Sequence, residues 1–228
     1  AKTEAAAIEK AASEVKKDTT TLVEATEELS AANAQDSVAI EKLKSRLGSF
    51  AYSGTLPSAT NAVTVLENDV LRLEVSNKGG YITKAMVKQH TMYDGEQIYM
   101  IKDGNASLNL QFSAENRTLN TKDLFFEPSL SQKGESSVLT MRLKSSADSY
   151  VEYRYELTPG EYMMGFSIKT QGLDGVINTS EPVYLDWQLK GYRHAKSISY
   201  ENRYSRLTYE YENGDHSKLD PTGEDAEV

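Results

Sequence analysis

The sequence predicts a mainly β protein, a sandwich or barrel of many short antiparallel strands preceded by a long helical segment. Three observations carry this reading. Beyond residue 62, apolar residues recur with a period of two in eleven short stretches, the alternation of half-buried strands. Those stretches are separated by turn residues such as Asn77-Lys78-Gly79-Gly80 and Thr158-Pro159-Gly160. Residues 2 to 47, in contrast, contain neither Gly nor Pro and are rich in Ala, Glu, Lys, Ser and Thr, a composition that favours helix.

Within that first region Ile8, Val15, Leu22 and Leu29 fall seven residues apart; Asp36 interrupts and Leu43 restores the register. The companion positions Ala11, Asp18, Ala25, Ala32, Ala39 and Arg46 are small or charged, so the apolar stripe is narrow. A strong coiled coil requires two large apolar positions per heptad, and this segment has one. Residues 1 to 47 therefore read as a helical spacer with one stripe resting on the β region, with a dimeric coiled coil or a groove-bound partner helix as the alternatives. Asn33 to Ser37 offer capping chemistry, so two helical pieces with a bend at 33 to 37 are expected. Residues 48 to 61, with Gly48, Gly54, Pro57 and several Ser and Thr, read as a linker, and 62 to 228 as the β domain.

The expected strands are 63–66, 69–76, 81–88, 97–101, 106–113, 122–127, 137–145, 149–157, 161–170, 182–190 and 206–212. The first pair forms a hairpin: Leu71, Leu73 and Val75 line one face, Arg72 and Glu74 the other, and Gly79-Gly80 permit the positive φ of a tight reversal. Four inward sets stand out: Leu108, Leu110 and Phe112; Val151, Tyr153, Tyr155 and Leu157; Tyr162, Met164, Phe166 and Ile168; Val183, Leu185, Trp187 and Leu189.

At 228 residues the chain can bury a core without covalent staples. Cysteine is absent, which excludes disulfides and thiolate metal sites. A formal charge of −9 argues against a nucleic-acid surface, and no apolar run reaches the roughly 18 residues of a membrane span, so a soluble chain is expected. It starts at Ala1, consistent with a processed product or a piece of something longer. No phosphate loop, nucleophile elbow, zinc motif or calcium loop appears, and the acidic residues Asp215, Asp220, Glu224 and Asp225 lack alternate-residue ligand spacing. No cofactor is expected. The Asn-x-Ser/Thr matches at Asn105, Asn116 and Asn178 read as ordinary loop sequence in a bacterial chain.

The stretch 63 to 87, with TKDLFFEP (121 to 128), SVLTMRLKSSADSYVEYRYELTPGEYMMGFSI (137 to 168), GLDGVI (172 to 177) and SYENRYSRLTYEY (199 to 211), resembles the large periplasmic domain of YidC-type membrane protein insertases of Gram-negative bacteria. The resemblance spans roughly residues 63 to 212 and implies a twisted antiparallel super-sandwich, similar to that of galactose mutarotases. It implies a periplasmic domain of an inner-membrane protein, with the membrane helices beyond both ends and residues 1 to 47 carrying the domain away from the bilayer. The family's insertase work belongs to those helices and a basic residue in their polar groove, which has no counterpart here. What remains is a non-catalytic accessory role through contacts with accessory subunits of the Sec translocon or with nascent, exported membrane-protein segments.

A mutarotase-like fold also raises a carbohydrate-binding or aldose-epimerase-like alternative, which would need paired His residues and a carboxylate to shuttle protons. His90, His194 and His216 have unrelated local contexts, and the discriminating feature is convergence of His194 with an acid such as Glu201 in an aromatic-walled pocket. Tyrosine is the outlier in composition, 14 residues against 5 Phe and 1 Trp. These rings suit sheet faces and edges as well as contact surfaces. The candidate contact residues are Tyr200, Arg203, Tyr204, Arg206, Tyr209 and Tyr211, in which fork-shaped guanidinium donors stand beside amphipathic rings, and Tyr192 precedes them.

Overall fold

A computed structural model of the chain describes residues 37 to 219. The helical reading of residues 1 to 36, including most of the expected bend, lies outside the described residues, as do residues 220 to 228. Helix α1 spans Ser37–Leu47, and Lys44 and Arg46 complement the negative end of its dipole. A 3-10 turn, Gly48–Thr55, follows without a loose connection. Phe50 within it is fully buried, its ring edge-on to Phe112 at 5.3 Å. A side-chain carbon at Gly54 would stand 2.8 Å from Leu43 Cδ2, so the missing Cβ is what lets the turn close on α1.

The described residues then form antiparallel sheets. One has the order β1 (Val63–Glu67), β2 (Leu71–Ser76), β3 (Ile82–Thr91) and β4 (Gln97–Ile101). A second contains β5 (Ala106–Ala114) between β6 (Arg117–Asn120) and β11 (Tyr184–Leu189). A third runs β7 (Glu127–Lys133), β8 (Ser136–Lys144), β9 (Tyr150–Leu157) and β10 (Met164–Gln171), and a small hairpin joins β12 (Leu207–Glu210) to β13 (His216–Leu219). Helix α2 (Ile198–Tyr204) precedes that hairpin.

The first three sheets turn their apolar faces to one core. Leu66, Leu71, Leu73 and Val75 come from the first, Phe112 and Leu119 from the second, and Leu139, Met141, Leu143, Val151, Tyr153, Tyr155 and Leu157 from the third. The β2–β3 reversal has the predicted glycine geometry, φ +82° at Gly79 and +67° at Gly80. It is also pressed into the core: a Cβ on Gly80 would lie 2.9 Å from the Phe126 ring, and Tyr155 donates its hydroxyl hydrogen to the Gly80 carbonyl at 2.7 Å. Tyr153 donates to Thr121 Oγ1 at 3.0 Å. Burial pushes the Tyr153 hydroxyl up to about 12, with the Thr121 bond opposing, and raises Tyr155 further still.

Three expectations need correction. Of the expected strand 122 to 127, only Glu127 is strand, as the start of β7: Thr121–Asp123 is a 3-10 turn, and Leu124, Phe125 and Phe126 are all buried, which an alternating strand with one solvent face cannot achieve. Their backbone instead ties to the hairpin turn, with Gly79 N–H donating to Leu124 O at 2.8 Å and Phe126 N–H to Asn77 O at 2.7 Å. Second, Val183, Leu185, Trp187 and Leu189 do not face inward under cover; each is at least half exposed. They lie on or beside β11, which among the described residues ends its sheet and has only β5 as a neighbour. Third, Tyr162 precedes β10 and is exposed at 45%, and Phe166 within β10 at 39%, while Met164 and Ile168 of that set rest partly buried against the core.

Candidate contact surface

The region that leads to the tyrosine cluster is fixed by backbone chemistry. Tyr192 donates its hydroxyl hydrogen to Lys102 O at 3.0 Å, and Lys102 Nζ stands 5.3 Å from the centroids of both the Tyr99 and Tyr192 rings. This cation-ring clasp was not evident beforehand, since its members are about ninety residues apart. Arg193 Nε donates to Ala195 O at 3.0 Å, curling the following turn. The amides of His194 and Ala195 donate to the two carboxylate oxygens of Glu201, at 2.9 and 3.3 Å. Those bonds, the His194 amide foremost, hold the Glu201 carboxyl below its ordinary value against the opposing effect of desolvation.

Ser197 caps α2, its hydroxyl accepting from Tyr200 N–H at 3.3 Å. The helical spacing of four brings Tyr200 and Tyr204 together with ring centroids 5.0 Å apart, and the Arg203 guanidinium lies 5.9 Å from the Tyr200 ring. Tyr200 is 57% and Tyr204 67% exposed. Arg206 lies in the connection to β12. Tyr209 and Tyr211, two apart along an extended chain, share a face with centroids at 5.3 Å and hydroxyls at 3.2 Å. A concavity at the β12–β13 turn is lined by Tyr211, Glu212, Asn213 and Asp215. The six candidates thus form two ring pairs with their basic neighbours, presented by a short helix and a two-stranded ribbon.

The histidines do not assemble a proton shuttle. His90 Nε2 meets the Tyr162 hydroxyl at 3.1 Å, and His216 Nδ1 is 3.9 Å from Glu210 Oε2. His194 and Glu201 are neighbours, but the carboxylate is engaged by backbone amides while the ring Nε2 contacts Tyr99 O at 2.9 Å. Among the described residues, no group of three or more His, Cys, Asp or Glu is placed to hold a metal ion, and no helix is long and apolar enough to cross a membrane.

Comparison with known proteins supplies the family. The YidC periplasmic domain family matches residues 63–226, and the chain belongs to it. The chain is similar to the membrane protein insertase YidC of Bacteroides fragilis, 31% identical over 209 residues, covering 91% of this chain and 33% of that protein. It is likewise similar to those of Parabacteroides distasonis, 33% identical over 78% of this chain and 28% of the relative, and Phocaeicola vulgatus, 31% identical over 66% and 24%. The chain therefore spans about a third or less of the length of these relatives. No solved structure matches. Family membership makes this a periplasmic domain, and the relatives it matches are membrane protein insertases.

Proposed function

We propose that this domain serves membrane protein insertion as a non-catalytic contact surface, through which the insertase meets accessory subunits of the Sec translocon or segments of membrane proteins during export. In this reading the sheets belong to a galactose-mutarotase-like super-sandwich, residues 1 to 47 form a helical spacer from the membrane, and 48 to 61 join the two. The observation that carries it is two ring clusters at the surface, the exposed Tyr200 and Tyr204 with Arg203, and the half-buried Tyr209 beside the exposed Tyr211. Exposed aromatic and Arg side chains are the residue types that anchor protein interfaces. A carbohydrate or epimerase role would need the His194 ring and the Glu201 carboxylate turned to a ligand, and both have backbone partners.

The test is photo-crosslinking in native membranes. A benzophenone side chain at position 204 of the full-length insertase is expected to capture a Sec accessory subunit or a nascent membrane protein, and the same group at Leu130, on β7, is not. Equal capture at both positions, or none at position 204, overturns the assignment of this surface.

A further inference from the structure

Many cations of the sheets stand against a carboxylate. Arg72 and Lys88 each meet Glu67 at 3.1 Å, Arg142 meets Glu152 at 2.8 Å, Lys144 meets Glu127 at 2.6 Å and Arg154 meets Glu156 at 2.9 Å. The connection from β11 to α2 is built differently. Residues 190 to 196 read Lys-Gly-Tyr-Arg-His-Ala-Lys, three cations without an acid in a chain whose formal charge is −9. All three cations are exposed, and among the described residues none of them is in an ion pair. Glu201, the acid that α2 brings to this connection, has its carboxylate engaged by the amides of His194 and Ala195.

The connection is fixed at three points to the end of β4 and the turn after it. Lys190 N–H donates to Asn105 O at 2.8 Å, and Asn105 Nδ2 donates back to Lys190 O at 2.9 Å. Tyr192 donates its hydroxyl hydrogen to Lys102 O, and the His194 ring meets Tyr99 O at 2.9 Å. Arg193 folds back, its guanidinium donating to the carbonyls of Ala195 and Lys196. A fourth cation, Lys102, lies over the rings of both Tyr99 and Tyr192. Against these four cations the same turn places one acid, Asp103.

A guanidinium fork and ammonium groups beside tyrosine rings match a layer of phosphate headgroups. Arginine binds phosphate through paired donors, lysine binds it as a point charge, and tyrosine rings sit at headgroup depth. The anionic total of the chain does not oppose this, because at about 0.1 M salt charges more than roughly 10 Å away are screened and the local balance decides.

We propose that the connection 190 to 196, together with Lys102, docks on anionic phospholipid headgroups at a membrane surface. Lys102, Lys190, Arg193 and Lys196 supply the charge, and Tyr99 and Tyr192 the interfacial rings. This rests on the reading that the domain serves a membrane insertase, which keeps a lipid surface within reach; it uses neither of the tyrosine pairs assigned to protein contacts.

Cosedimentation with lipid vesicles tests it. The 228-residue chain is expected to bind vesicles of equal parts phosphatidylglycerol and phosphatidylcholine, and not vesicles of phosphatidylcholine alone. One basic side chain at an anionic surface is worth about fivefold in binding, so a variant with Lys190→Gln, Arg193→Gln and Lys196→Gln is expected to bind on the order of a hundredfold more weakly. Because Arg193 also closes its turn, a variant with Lys190→Gln and Lys196→Gln alone provides a second reading, with an expected loss of about 25-fold. Removing the same charge from α1, by Lys42→Gln, Lys44→Gln and Arg46→Gln, is expected to leave binding unchanged. No binding to the anionic vesicles, equal binding to both kinds, unchanged binding of the double variant, or an equal loss from the α1 variant overturns the proposal. Tighter binding to a poly-glutamate peptide than to the anionic vesicles, charge for charge, assigns the cations to an acidic polypeptide and overturns it as well. Crosslinking at position 204 reads the protein contacts separately, so capture there without vesicle binding overturns the lipid site alone.

Discussion

Strands β9 and β11 carry the same kind of sequence and meet opposite fates. Tyr-Val-Glu-Tyr-Arg-Tyr-Glu-Leu and Tyr-Leu-Asp-Trp-Gln-Leu both alternate, and both line up their large apolar residues on the face turned to the core. On β9, Val151, Tyr153, Tyr155 and Leu157 are at most 2% exposed, while on β11 Leu185, Trp187 and Leu189 are 50 to 70% exposed. The difference lies in neighbours. β9 is flanked by β8 and β10 and faces the hairpin turn and the Phe126 segment; β11, among the described residues, has β5 alone. Alternation specifies which face is apolar, and the number of layers and strands around it specifies whether that face is covered.

A matched pair of leucines is the most direct attempt to break that contrast. Leu157→Ala on β9 empties a fully buried site and is expected to cost about 2–5 kcal/mol of unfolding free energy, the range for buried leucine truncation. Leu189→Ala on β11 removes a half-exposed side chain and is expected to cost under about 1 kcal/mol in this 228-residue chain. Urea denaturation of both variants measures the difference, and equal losses would show that the β11 face is covered in solution.

Alkaline titration probes the buried side alone. Tyr153 is raised to about 12 by burial, and Tyr155 is raised in the same direction. An unfolded tyrosine, with an ordinary value of 10.0, loses its proton earlier than the folded one. Stability is therefore fully present below pH 10 and falls as the pH rises from 10 toward 12, by on the order of 2 kcal/mol for Tyr153. Phenolate absorbance should show a late, cooperative step that coincides with loss of the far-ultraviolet β signal. A Tyr153→Phe variant should show a shallower decline of stability over that interval. Phenolate formation that runs to completion near pH 10 with the sheets intact would contradict the burial of β9.

The same distinction explains what the sequence made readable. The β2–β3 hairpin was legible because its turn needs positive φ and carries Gly79-Gly80, and the inward set of β9 was legible because four large residues alternate without interruption. The segment 121 to 126 was not, since its three consecutive buried residues depend on closing against Asn77 and Gly79, contacts some forty-five residues back in the chain. The missing cover of β11 was illegible for the same reason, being a property of neighbours. In the candidate surface, the Tyr209–Tyr211 pair follows from strand spacing once the strand is assigned, and Tyr200–Tyr204 from helical spacing. The helix itself was missed, although Ser197 followed by Glu201 offered a capping residue and a first-turn acid.

The smallest expected effect concerns the exposed side of the comparison, where structure is held by local bonds and not by a core. Glu201 binds the amides of His194 and Ala195, and its carboxyl is held below the ordinary glutamate value of 4.5, chiefly by the His194 amide. A depressed carboxyl stabilises above the unfolded value, and that contribution is lost as the pH falls through the lower, folded one. The turn at 193 to 196 is therefore expected to loosen only in acid, seen as a pH-dependent shift of the His194 amide resonance with a midpoint below 4.5. A Glu201→Gln variant keeps the side-chain length and an acceptor oxygen but abolishes that titration. Because α2 has no buried residue, the ring resonances of the buried Tyr153 and Tyr155, on the face of β9 opposite Glu152 and Glu156, should stay fixed through the same pH interval. If they move together with His194, the tyrosine-bearing periphery and the core form one cooperative unit, and the separation between covered and uncovered strands does not extend to stability.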